Sequence, residues 1–148
     1  MTHARQQIRT AAVALATGLA TTGSRVYDSR FFELEPDTQL PCWAVYTTDE
    51  VEDAEFGAMG GMQDRVCRLS FAGLARALTG AALQSTLDTM CEELETVVRR
   101  EAIAGCECVY LRTEWEFGEQ ESEAAEGRVT VSFAVRYYTN QGAPGVLI

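Results

Sequence analysis

The chain has 148 residues, 47% hydrophobic and 23% charged, enough for one hydrophobic core and too apolar for a disordered polypeptide. No apolar run reaches the roughly 18 residues that span a bilayer, and the first ten residues carry charges with no apolar block behind them, unlike a secretory signal. With 22 acidic against 12 basic residues the formal net charge is −10, which argues against binding nucleic acid through a phosphate-neutralising face.

Residues 4–20 predict the first helix. Ile8, Ala12, Leu15 and Leu19 form one apolar stripe at steps of three and four, and alanine fills much of the segment. Thr21-Thr22-Gly23 stops it. A short strand over 25–32 follows, then a polar loop with Pro36 and Asp37, then a buried strand over 42–47 opened by Pro41.

Residues 48–63 combine like charges with three glycines, too long a stretch for an inert connection. They read as a flexible acidic loop, mobile alone and ordered on a partner. Asp49, Glu50, Glu52 and Asp53 supply its charge, and Phe56, Met59 and Met62 its apolar docking points.

The segment 65–75 alternates as a half-buried strand, with Cys67, Leu69, Phe71, Gly73 and Ala75 on one face. The strongest helix spans 81–102, with Leu83, Leu87, Met90/Cys91, Leu94 and Val97/Val98 on its dry side. Arg99 and Arg100 near its end suit the helix dipole, and Gly105 caps it. Two alternating strands close the pattern. The first, 107–117, sets Val109, Leu111, Thr113, Trp115 and Phe117 against Cys108, Tyr110, Arg112, Glu114 and Glu116. The second, 128–138, sets Val129, Val131, Phe133, Val135 and Tyr137 against polar neighbours.

Between these strands, residues 118–127 form a second flexible acidic loop holding Glu119, Glu121 and Glu123. An irregular tail over 140–148 is anchored by Val146, Leu147 and Ile148. The order α-β-β-β-α-β-β predicts an α+β fold, one mixed or antiparallel sheet of about five strands covered by two helices, in a single domain over 1–148.

The acidic excess is local. Eleven carboxylates fall in 49–55 and 114–126, and the rest of the chain is near neutral, at about +1. Every basic residue is arginine. Without lysine there is no Walker A loop and no Schiff-base chemistry. The only histidine, His3, lies in a segment that reads as a frayed terminus, so no general base or zinc site is expected from it. No nucleophile elbow and no phosphate-binding glycine loop is present. Cys42, Cys67, Cys91, Cys106 and Cys108 read as reduced, buried small hydrophobes. Glu114 and Glu116 share a strand face, which suits acid–base work or a divalent cation, but solvation at the edge of an acidic loop is the simpler explanation and is preferred. No catalytic residue, cofactor or metal ligand is assigned.

Several stretches taken in order carry a resemblance. They are the opening Arg5–Leu19, then Gly23–Arg30, then Leu40-Pro-Cys-Trp-Ala-Val-Tyr46 through Glu50. The Arg65–Phe71 strand, the Leu87–Glu95 helix and the closing Val131–Thr139 complete the set. The whole resembles the tail terminator proteins of long-tailed phages, the lambda-like minor tail protein U group and its relatives in siphoviruses and gene-transfer agents. The resemblance covers nearly the full length through element order and apolar positions, and departs from the family in the two acidic loops.

It implies a virion structural protein, not an enzyme, that assembles as a hexameric ring on the tail tube. Such a ring stops tube polymerisation and joins the tail to the neck. The implied partners are further copies of the chain, the tail tube protein and a head–tail connector, with DNA passing through unbound and no membrane involved. The implied location is the top of the tail in the virion, after assembly in the host cytoplasm. Acidic loops lining the channel would repel phosphates, and their apolar points could order against a neighbour. A head–tail connector of similar size, a partner-binding module and a small enzyme using acids or thiols are the alternatives.

Overall fold

In a computed structural model of the chain, residues 2–29, 40–52, 61–118 and 125–148 are described, those at 49–52 as backbone only. Helix α1 spans Ala4–Ala16 and α2 spans Gly80–Val97. The strands are β1 (Val26–Asp28), β2 (Cys42–Glu52), β3 (Met62–Ala77), β4 (Glu107–Phe117) and β5 (Ala125–Asn140). They form one mixed sheet in the order β1-β2-β3-β5-β4, parallel between β1 and β2 and antiparallel elsewhere. The expected α+β architecture, with its element order, is the observed one.

Both helices lie on one face of the sheet. α1 packs on β1 and β2, and α2 on β3 and β5. The stripe Ile8, Ala12 and Ala16 meets Trp43 and Val45, while Leu83, Leu87, Met90 and Leu94 meet the inward residues of β3 and β5 in one continuous apolar cluster. The alternations read for β3 and β5 hold: Cys67, Leu69, Phe71 and Ala75 are buried, as are Val129, Val131, Phe133, Val135 and Tyr137. Phe71 sits at the centre, edge-on to both Trp43 and Phe133.

The helices are shorter than expected. α1 ends at Ala16 because Thr17 turns extended and Gly18 takes a φ of +93°. Leu19 then packs on the core from a tight turn rather than from the helix. α2 stops at Val97, where Val98 leaves helical geometry so that Val98 and Ile103 reach the core. Arg99 and Arg100 therefore lie beyond the last turn; Arg99 Nε still reaches the Thr96 carbonyl of that turn at 3.5 Å, whereas Arg100 pairs with Glu107 at 2.9 Å. α2 begins on Thr79, whose hydroxyl accepts from the Ala82 N–H at 3.1 Å.

His3 is not frayed. Its Nδ1 accepts the Arg5 N–H at 3.1 Å and caps α1, while the Ala4 N–H donates to the Pro144 carbonyl at 2.8 Å. The tail thus folds back over the start of α1. Leu147 packs against the core, whereas Val146 and Ile148 are exposed, so of the three expected anchors only Leu147 serves. β1 is also shorter than the expected 25–32, ending before Ser29, which adopts a φ of +52°.

The segment 48–63 is not a single loop. β2 continues through Asp49, Glu50 and Glu52, with Glu50 opposite Cys67 and Glu52 opposite Arg65 after a bulge at Asp49. Met62 opens β3 opposite Asn140. The backbone ladder runs on through residues whose like charges suggested a loop.

Candidate assembly surface

The sequence marks two acidic segments as interface. Of their residues, Asp49, Glu50 and Glu52 lie in β2 and Met62 at the start of β3. Asp53, Phe56, Met59, Glu119, Glu121 and Glu123 lie outside the described residues. The described residues that bound the two segments lie toward opposite ends of β3. One leaves the sheet beside Glu52 and Met62; the other leaves beside Phe117 and Ala125, where Ala125 faces Ala77 at the far end of β3. β3 has 16 residues, so the two exits are separated by roughly 50 Å.

The fold exposes a different surface that the sequence reading missed. β4 is an edge strand, and it carries a bulge between Tyr110 and Arg112 that leaves Leu111 as an extra residue. The bulge reverses the alternation. Cys108 and Tyr110 stand opposite Val135 and Phe133, while Thr113 and Trp115 stand opposite Val131 and Val129. All four therefore share the helix-side face, and Val109 falls with Glu114 and Glu116 on the other. The expected face of Val109, Leu111, Thr113, Trp115 and Phe117 is thus split by one inserted residue.

Beyond Cys108 the strand is barely covered. Tyr110 is 49%, Trp115 47% and Phe117 55% exposed, with Val109 and Leu111 similarly open. Long apolar edge strands are uncommon in proteins that work alone, because an unpaired edge invites another chain. Between β4 and α2 runs a groove of about 610 Å³. Tyr110, Thr113 and Trp115 form one wall, and Asp88, Glu92, Glu95 and Thr96 the other. Cys91 forms part of the lining. The Tyr110 ring lies edge-on to Phe133, and its hydroxyl bonds the Thr113 hydroxyl at 2.7 Å, which fixes this wall.

The sheet face away from the helices is polar. Asp64, buried to 1% exposure, accepts from the Arg136 guanidinium in a two-pronged pair, with Nε–Oδ1 at 2.8 Å. That hydrogen bond raises the Arg136 pKa further and keeps it cationic. Ser70 and Ser132, opposite each other on β3 and β5, share a 3.2 Å hydrogen bond, and Arg128 reaches the Tyr46 hydroxyl.

Among the described residues, the groups that could do chemistry are thiols and a few carboxylates. All five cysteines are buried thiols. Burial, then Glu95 and Asp88, pushes Cys91 up to about 12, and burial with Cys106 pushes Cys108 up to about 11. Such thiols are weak nucleophiles at neutral pH. Glu114 is exposed and pairs with Arg112 at 3.0 Å. Among the described residues no group of three His, Cys, Asp or Glu is arranged to hold a metal ion, and no helix is long and apolar enough to cross a membrane.

No family model and no curated protein matches the chain. Its fold does match a solved one. A chain in the structure titled "Virion of native gene transfer agent (GTA) particle" superposes with a TM-score of 0.52 at 15% identity, covering 93% of this chain and 96% of that one. The fold is similar to that of a virion component. The likeness runs nearly end to end on both sides, so the two chains share one architecture rather than a local motif.

Proposed function

We propose that this protein is a non-enzymatic structural component of a virion or gene-transfer particle, and within that class a tail terminator. In this role copies of the chain form a hexameric ring at the top of the tail tube, stop tube polymerisation and present a surface to the head–tail connector, with DNA passing through unbound. The end-to-end fold likeness to a gene-transfer-agent virion chain is the observation that carries the reading. The exposed apolar edge of β4 supports it, since a chain that works by association needs such an uncovered surface. A closing heterologous interface is what turns copies into a ring.

The test is mass and tube length. The purified chain is expected to give a sixfold mass by light scattering, alone or on tube ends, and to arrest growth of tail tube protein added to it. A chain that stays a single subunit at every concentration and leaves tube length unchanged overturns the terminator reading. Binding to a head–tail connector without any effect on the tube would instead place it in the neck.

A further inference from the structure

We infer that the groove between α2 and β4 seats an extended, basic segment of a different protein, laid along the outer edge of β4 with its arginine or lysine side chains directed at α2. This goes beyond the ring reading and does not require it. Asp88, Glu92 and Glu95 stand at steps of four and three on α2, so the three carboxylates share one helix face, across from Tyr110 and Trp115. Like charges at that spacing repel, and among the described residues none of the three meets an arginine. Glu93 is turned away to Thr21, Arg112 pairs with Glu114 on the other face of β4, and Arg99 is held by the Thr96 carbonyl at one end of the groove. Among the described residues that line the groove there is no cation. The field of the carboxylates already acts on the lining: after burial itself, Glu95 and Asp88 raise the pKa of Cys91.

The other wall suits the same occupant. Tyr110 and Trp115 are each about half exposed, and an aromatic face attracts a guanidinium or ammonium group. Among the described residues β4 pairs only with β5, so its outer backbone donors and acceptors are open to another strand. A strand added there lies about 4.8 Å from β4 and sends every second side chain to the helix side. Cationic side chains at those alternate positions would cross the two rings and end among the three carboxylates, where a charge-assisted hydrogen bond forms in a partly enclosed groove instead of open water.

The charge of the whole chain favours a different protein over a second copy. The formal net charge is −10, and every basic residue is arginine. Arg9, Arg76, Arg100, Arg112 and Arg136 are engaged by the chain's own carboxylates, and Arg5, Arg65 and Arg68 have partners as well. Another copy therefore offers few uncommitted cations and brings the same acidic excess. A basic segment of another protein is attracted at long range and matched at short range.

The probe is a fluorescently labelled synthetic peptide, Arg-Val-Arg-Thr-Arg-Val-Arg with blocked ends, whose arginines fall on one side when it is extended. A peptide of the same composition with its arginines in one block is the comparison. Fluorescence polarisation at low salt, with the full-length chain, is expected to show the alternating peptide bound at least about threefold more tightly than the blocked one. Glu92→Gln with Glu95→Gln should weaken its binding at least about tenfold, and Trp115→Thr should weaken it as well. Glu114→Gln with Glu116→Gln removes the same charge from the other face of β4 and should change binding less than about threefold. All these side chains are exposed, so melting curves close to wild type are expected. No binding to wild type, equal losses in the two double variants, or equal binding of the two peptides would each overturn the inference. So would self-association of wild type that Glu92→Gln with Glu95→Gln abolishes, because a second copy would then be the occupant. None of these results decides the ring reading, which stands or falls on mass and tube length.

Discussion

Cys91 shows how a single side chain couples burial to pH. It is 8% exposed, and its lining neighbours Glu95 and Asp88 add repulsion to the desolvation of a thiolate. Its folded pKa of about 12 exceeds the ordinary value of 9.0. The folded state therefore holds a proton that the unfolded state releases, and stability is complete below pH 9 and falls as pH rises toward 12. The loss is up to about 1 kcal/mol per pH unit for each such thiol. With no lysine in the chain, no lysine ammonium titrates across that window. Stability to denaturant in reducing buffer is expected to fall from about pH 9 upward, and more shallowly in Cys91→Ala; identical slopes would refute the assignment. The buried character of this residue was legible from its place on the helix stripe. Its carboxylate neighbours were legible too, at three and four residues' distance, but not the aromatic wall that completes the groove.

At the scale of elements, Gly73 sets how closely three of them meet. A methyl group there would stand 2.8 Å from the Trp43 ring on β2 and 3.0 Å from the Met90 methyl on α2. Gly73→Ala is expected to cost about 1–3 kcal/mol, read as a lower denaturation midpoint with unchanged slope; the Met90 methyl can give way, whereas the large indole, fully buried, cannot. The inward face of β3 was readable from strict alternation over Cys67–Ala75, and β5 equally. β4 was not. Its bulge adds one residue, and in a period-two pattern one residue exchanges the faces, so the sequence alternation pointed Val109 and Trp115 the same way when they point apart. The ends of elements were also hidden. Gly18 just after α1 and Val98 just after α2 each fit a helix pattern in the sequence, but packing of Leu19, Val98 and Ile103 on the core makes leaving it favourable.

For the whole molecule, the order of elements could be read in advance but the order of strands could not. Nothing local says that β5 lies between β3 and β4, and that placement is what makes β4 an edge. Both helices contribute to one apolar cluster. Ile8→Ala in α1 and Leu87→Ala in α2 are therefore each expected to cost about 2–5 kcal/mol and to shift a single unfolding transition. Two separable transitions in calorimetry would divide the chain into units. The roughly 50 Å between the hairpin exits also dictates how any closed assembly is dimensioned. Should copies close into a ring with β3 upright, that length would set the height of the annulus. With β3 radial, the same length would become wall thickness. A single electron-microscopy side view, measuring height against wall, would tell which.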